Sequence, residues 1–223
     1  MNFYVSFNYN ATIVELMTFG IINAVTILFS IFIHELAHLY VARRHKLNTS
    51  EIILSFFGGS FEIEGKQAAP KIRLKVYAAG PLVNLLLGIS LLLVLRFPQI
   101  NFSSYVYMLF FFSGFTNIII AVFNLIPTFP LDGGRILRAY ILSESKDFCQ
   151  ATRIVFIVGN IFGFGFMLYG FYLIIIQKFV DAFWLILIGV FLSLSAWKCY
   201  RYEISTYMQE LEKKFKQVEK TTT

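Results

Sequence analysis

Charged residues are scarce in this sequence of 223 residues, where Asp, Glu, Lys and Arg together make up only 14%. Hydrophobic residues make up 57%, phenylalanine alone occurs 26 times, and the mean hydropathy is +0.69. Long apolar runs of this kind are typical of proteins that cross the membrane several times. The composition therefore predicts one α-helical polytopic membrane unit rather than a soluble domain, and the length suits such a unit without an attached soluble domain.

Cysteine is also rare, and the two that occur, Cys149 and Cys199, lack the spacing of a metal site or of a disulfide framework. The net charge of +6 does not predict nucleic-acid binding, because basic residues in a membrane protein mark its cytoplasmic face. If Arg43 is cytoplasmic, all of the 19 Lys and Arg residues except Arg96 and Lys178 fall on that side or at its boundary. We expect a multi-pass protein of the cell membrane.

Apolar segments predict about six membrane helices. The number is five or six, depending on whether one ambiguous segment crosses the membrane once or twice. Residues 11–42 would span about 48 Å as a helix, too long for one crossing and short for two, and Gly20 is a candidate break. The other predicted spans are 74–95, 105–126, 154–176 and 182–197. Residues 1–200 would form the membrane domain, and 201–223 would form a cytoplasmic amphipathic tail.

Residues 50–65 predict a small β-hairpin at the cytoplasmic membrane surface, with Gly58-Gly59 between two β-prone pieces. An exposed edge of this hairpin could hold an unwound peptide as an added strand. Phe57, Gly58 and Gly59 are therefore candidates for binding a substrate.

An ionisable cluster interrupts the first apolar segment as His34-Glu35-Leu36-Ala37-His38. Residues four apart share a helix face, so both imidazoles can reach one ion, and imidazole suits zinc. Zinc lowers the pKa of a bound water from 15.7 to about 7, and Glu35 could accept its proton and pass it to a departing amine. Because buried charges need partners, a metal site is the favoured interpretation.

A catalytic zinc also needs a third protein ligand, and Asp132 is the best candidate. It lies in Phe-Asn-Leu-Ile-Pro-Thr-Phe-Pro-Leu-Asp-Gly-Gly-Arg, residues 123–135, where Pro127 and Pro130 interrupt the preceding span. Irregular backbone at membrane depth is tolerated only inside protein or a watery cavity. This segment is predicted to bring the Asp132 carboxylate to the two histidines.

Two asparagines are further candidates. Asn124 could donate to a substrate carbonyl or to the developing oxyanion, although a hydrogen bond between helices explains it nearly as well. Asn84 belongs to Ala-Ala-Gly-Pro-Leu-Val-Asn, residues 78–84, and could face the site as a substrate-binding residue. Gly80 and Pro81 in this stretch are interpreted as packing or helix-start features.

Together these motifs resemble the site-2 protease family of intramembrane zinc metalloproteases (peptidase M50-like), and most of all the branch that processes a bacterial sporulation sigma-factor precursor. The resemblance covers about residues 20–140 and rests on four motifs in order, at 34–38, 57–59, 78–84 and 124–134. Many relatives carry a complete span before the motif helix, whereas that region is compressed here. No PDZ domain or nucleotide-sensing domain is evident in the sequence.

The resemblance implies one Zn²⁺ per chain, bound by His34, His38 and Asp132, with Glu35 as the base. It also implies a substrate that is itself a membrane protein, cleaved within or near a transmembrane segment. The distribution of basic residues predicts an active site toward the cytoplasmic side. The sequence leaves open the substrate, the trigger and whether the chain forms a homo-oligomer.

Two other membrane proteins could carry a similar motif. A metal-ion transporter needs polar ligands along its path, and the predicted spans 154–176 and 182–197 contain almost none beyond Asn160. A prenyl-protein-processing protease takes a glutamate as third ligand from a late helix, and the final spans lack one. The transporter remains the main alternative.

Overall fold

The computed structural model describes residues 12–47, 53–55, 58–60, 69–97 and 103–222. The elements in these residues are α1 (Ile13–Arg44), β1 (Ile53–Ser55), β2 (Gly58–Ser60), α2 (Pro70–Val94), α3 (Ser104–Asn124), α4 (Asp132–Ser145), α5 (Phe148–Ile175) and α6 (Phe179–Thr222). Five of the described helices, all except α4, are long and apolar enough to cross a membrane. The predicted helical architecture with five to six spans is confirmed.

The ambiguous first segment forms one continuous helix, α1, which runs through Gly20 without a break. At its start the Thr12 side chain accepts a hydrogen bond from the Glu15 backbone, and the Glu15 side chain accepts one from the Thr12 backbone. This reciprocal capping box satisfies two amides that would otherwise lack partners at the helix start. The helix ends in the basic pair Arg43 and Arg44, which suits the negative end of its dipole.

The described helices fall into two compact units. The first unit contains α1, the two strands, α2 from Ala78 onward and α3. In this unit α1 and α3 run parallel, because Glu15 accepts a hydrogen bond from Tyr105 near their starts and Ser30 accepts one from Asn117 further along. α2 and α3 run antiparallel through a close contact at Gly88 and Gly114.

The two strands pair antiparallel, with Ile53 opposite Ser60 and Ser55 opposite Gly58. Gly58 and Gly59 lie within β2, so the prediction that they form the turn between two strands is wrong. The pairing register leaves only two residues between the strands. Phe57 and most of the predicted hairpin, 50–65, lie outside the described residues.

The second unit contains α2 up to Tyr77 and the chain from Leu125 onward. Its core is an antiparallel pair, α5 and α6, joined by a short turn in which Gln177 has a φ of 61°. Small residues let the two backbones approach closely, as they do in many membrane helix pairs. These residues are Gly159, Gly163 and Gly170 of α5 and Ala182, Gly189, Ser193 and Ala196 of α6.

α6 does not end with its apolar half but continues to Thr222 as a single helix of 44 residues. The predicted tail, 201–223, is therefore helical as far as Thr222 and is continuous with the last span. Its first turns pack on α5, where the rings of Phe148 and Tyr207 stack at 4.8 Å. Between α3 and α5 the chain forms the helix α4, Asp132–Ser145.

Candidate metal centre

The two motif histidines face each other on one side of α1. Their Nε2 atoms lie 3.1 Å apart, and their ring planes meet at 81° with centroids 4.8 Å apart. Both side chains are buried, as is the adjacent Glu35. The four-residue spacing on a helix thus converges two ring nitrogens on one point, as the sequence predicted.

Gly80 of α2 leaves the space at this point open. A Cβ atom on residue 80 would lie 2.6 Å from Nε2 of His34 and closer still to Nε2 of His38. Real side chains do not approach nitrogen atoms this closely, so only glycine is compatible with the observed packing. Gly80 was predicted to serve packing or the helix start, but α2 begins ten residues earlier at Pro70 and Pro81 lies in its interior.

The nitrogen pair fits a zinc ion. Zn–N bonds of 2.0–2.1 Å at tetrahedral angles place two nitrogens about 3.3 Å apart. The observed 3.1 Å is close to this separation, and the side-chain-free surface at Gly80 borders it. Two imidazoles and carboxylates are also ligands that zinc prefers.

A hydrogen bond that was not predicted from the sequence joins α3 to the turn of α1 before the histidines. Asn117 of α3 donates from Nδ2 to Oγ of Ser30 at 2.9 Å, and both residues are buried. Ser30 precedes His34 by one helical turn. A polar bond between membrane helices contributes about 0.6 kcal/mol on average, and this one sets which face of α1 meets α3. The sequence feature that could have predicted this bond is the presence of two polar residues, Ser30 and Asn117, within apolar spans.

Asn84 lies one turn beyond Gly80, on the same face of α2. Its side chain has no solvent exposure, and neither atom of its amide has a hydrogen-bond partner among the residues described. Buried amides without partners are costly, which keeps Asn84 a candidate for contact with a group other than the described residues. Its predicted contact with a substrate stays a prediction.

Asn124 is the last residue of α3 and is partly buried. Its Nδ2 atom donates to the backbone carbonyl of Ile120 at 3.0 Å. This bond lies within one helix and not between helices, and it occupies only one of the two amide hydrogens. The predicted oxyanion role stays a prediction.

In the second unit Asp132 is buried and is the first residue of α4. A carboxylate in the first turn is stabilised by the positive end of the helix dipole. The two glycines that follow allow α4 to lie directly on the preceding loop, since a Cβ on Gly133 would meet the carbonyl oxygens of Leu125 and Ile126. The Asp-Gly-Gly sequence is thus explained by close backbone contact at the start of α4.

The same loop is held against α5. Thr128 has no solvent exposure, and its hydroxyl contacts the backbone at Gly159 of α5. Phe129, which precedes a cis proline, is buried as well. The segment that carries Asp132 is therefore an ordered part of the second unit rather than a loose connection.

Comparison with known proteins assigns the fold and the family. The sequence profile of Peptidase family M50 matches residues 22–103 and 98–166. A solved structure, the site-2 protease from Methanocaldococcus jannaschii, superimposes with a TM-score of 0.58 at 31% identity, covering 78% of this chain and 75% of that one.

Two curated relatives agree with this assignment. A zinc metalloprotease of Methanocaldococcus jannaschii is 37% identical over 141 residues, which cover 63% of this chain and 40% of that protein. Stage IV sporulation protein FB of Bacillus subtilis is 30% identical over 129 residues, 57% of this chain and 43% of that protein. The chain thus matches less than half the length of these relatives, and no comparison supports the transporter alternative.

The sporulation relative confirms that the predicted resemblance extends to that branch. The matched region contains the histidine pair, Gly80 and Asp132. Together with the five apolar helices, these findings identify a multi-pass membrane protein. The chain belongs to peptidase family M50.

Proposed function

We propose that the chain is an intramembrane zinc metalloprotease that hydrolyses peptide bonds within or near the transmembrane segments of membrane proteins. The observation that carries this proposal is the buried pair of Nε2 atoms 3.1 Å apart on an apolar helix, facing the bare backbone of Gly80. A purely structural helix has no reason to bury two imidazoles and a glutamate together. Family membership and the zinc metalloproteases among the relatives support the same function.

One Zn²⁺ per chain would be held by His34, His38 and Asp132. The two imidazoles meet the geometric requirement of the ion, and Asp132 is a buried carboxylate on a rigid segment. Three protein ligands leave a fourth position open, as catalytic zinc sites require. When bound, zinc supplies Lewis-acid activation of water and polarises a substrate carbonyl.

Glu35 serves as the general base. It neighbours His34 on the same helix and is buried, as both histidines are. Glu35 takes a proton from the attacking water and delivers it to the leaving amine nitrogen. Asn124 retains one free amide hydrogen at the end of α3, which it donates to the oxyanion.

The substrate must unwind before it is cut, because the peptide bonds of a membrane helix are shielded by their own hydrogen bonds. The antiparallel strands β1 and β2 offer an edge on which an unwound segment adds as a further strand. Phe57, Gly58 and Gly59 belong to that region, and Asn84 offers a donor and an acceptor for a peptide group. The asymmetry of basic residues supports an orientation in the cell membrane with the active site toward the cytoplasm.

Metal removal tests this function directly. In liposomes that contain the purified chain and a single-span membrane protein, a zinc chelator is expected to stop cleavage, and one equivalent of zinc is expected to restore it. Helical circular dichroism, recorded in parallel, should stay unchanged, which separates metal loss from unfolding. Cleavage by protein that elemental analysis shows to be metal-free would contradict the proposal. Zinc flux into the liposomes without cleavage would favour the transporter.

Replacing Asp132 tests the third ligand. Asp132→Asn is expected to eliminate detectable cleavage and to weaken zinc retention, because a neutral amide is a much poorer zinc ligand than a carboxylate. Zinc affinity is measured by competition with a chelating dye. The matched control is Asp147→Asn, at the exposed N-cap of α5, where asparagine caps as well as aspartate. Wild-type affinity in Asp132→Asn would remove Asp132 from the ligand set.

A further inference from the structure

Arg138 of α4 is a buried cation outside the metal centre. Its Nη1 atom lies 2.6 Å from Oε1 of Glu203 on α6, and the Glu203 side chain is about one-third exposed. A buried charge is stable only with a partner, so this ion pair ties α4 to α6. No step of the proposed reaction uses either residue.

The same guanidinium also contacts two aromatic rings. Its central carbon lies 5.3 Å from the ring centroid of Phe129 and 5.4 Å from that of Phe148. Both distances fall within the range of cation–π attraction. Phe129 lies three residues before Asp132, and Phe148 is the first residue of α5. One side chain therefore joins the loop before Asp132, the start of α5 and the Glu203 turn of α6.

The contacts on α6 come from one of its faces. Glu203 and Tyr207 are one turn apart, and the Tyr207 ring stacks on Phe148 at 4.8 Å. Glu203 and Tyr207 lie in the second, more polar half of α6, which continues the apolar first half without a break. Arg138 is thus in contact with α6 through Glu203 and with the loop before Asp132 through Phe129.

We propose that Arg138 is a positioning residue that, braced by Glu203, holds the loop at 125–131 and thereby the Asp132 carboxylate in its metal-binding orientation. This inference rests on the proposed role of Asp132 as a zinc ligand. Arg138 acts through Asp132 and does not touch the substrate. Residues that support metal ligands from outside typically change metal affinity or activity by about 10- to 100-fold when they are replaced.

The test is a double-mutant cycle in the full chain. Arg138→Met keeps an unbranched aliphatic side chain but removes the charged guanidinium, and it is expected to weaken zinc affinity and lower kcat by about 10- to 100-fold with KM unchanged. Glu203→Gln should have a smaller effect in the same direction. The double variant should match Arg138→Met alone, because the two residues act as one unit. Arg138→Lys should be intermediate, since it keeps the ion pair but loses the planar stacking group.

Arg153→Met, an exposed arginine of α5, is the control and should match the wild type. Should Arg138→Met fail to fold, Glu203→Gln and Arg138→Lys decide the question by the same measurements. Lower thermal stability with wild-type zinc affinity and kcat would overturn this inference and leave the proposed function standing. A wild-type chain that neither binds zinc nor cleaves would overturn the proposed function, and this inference with it.

Discussion

Glu35→Gln is expected to abolish cleavage while the chain keeps its zinc. Glutamine has nearly the volume of glutamate, so the buried site retains its packing, but the amide cannot accept a proton from water. Loss of a general base typically lowers the rate by about 10²- to 10⁴-fold. The imidazole nitrogens on either side of the motif are untouched, so metal binding should persist. Substrate cleavage per folded protein and bound zinc by elemental analysis are measured on the same sample.

A second glutamate on the same helix provides the control. The control is Glu15→Gln. Glu15 lies on an exposed turn at the start of α1, where its side chain caps the helix and accepts a hydrogen bond from Tyr105. Glutamine has nearly the same size and keeps one of the two acceptor oxygens, and position 15 lies 19 residues before His34 on α1, so cleavage should stay at the wild-type rate. Normal cleavage by Glu35→Gln would assign the base to another residue. Loss of zinc from Glu35→Gln would show that Glu35 maintains the site rather than moving a proton.

Gly80→Ala is expected to prevent zinc binding, and with it all cleavage. The added Cβ would lie within 2.6 Å of Nε2 of His34 and nearer still to Nε2 of His38. Neither side can retreat easily, because the histidines are buried and the next residue of α2, Pro81, is fully buried. We expect zinc affinity to fall by about 100-fold or more, at or beyond the upper end of the effects seen for changes outside the ligand shell.

The control for this substitution is Gly20→Ala in α1, where a Cβ would have no neighbour within 4 Å. Replacing glycine by alanine in a helix leaves protein stability unchanged or slightly higher where the backbone conformation suits alanine. Zinc content and cleavage should therefore be unchanged. Wild-type zinc affinity in Gly80→Ala would mean that the ion does not occupy the space beside Gly80. Circular dichroism of both variants checks that their helical content equals that of the wild type.

Much of this site could be predicted from local sequence. His34 and His38 share a helix face because their spacing is four residues, and their burial follows from the apolar residues around them. Asp132 could be singled out because prolines end the preceding span and few other acids lie near apolar segments. The number of spans follows from hydropathy and length, which depend on neighbouring residues alone.

Helix ends were harder to place because capping and neighbouring contacts decide them. The first apolar segment could be one helix or two until α1 proved continuous through Gly20. α6 runs past its apolar half because polar residues continue its helix, and a change of composition does not require a break. Gly58 and Gly59 are compatible with either a turn or a strand, and pairing with β1 places them in the strand.

The sequence by itself determined the membrane class, the chemistry of the motif and the two imidazoles on one face, because each depends on residues a few positions apart. Only the tertiary structure decided which distant groups meet: Gly80 at the histidine nitrogens, Ser30 at Asn117, and Arg138 at Glu203. These contacts join residues 42 to 87 positions apart, and local periodicity carries no information about such partners. Packing between helices selects them.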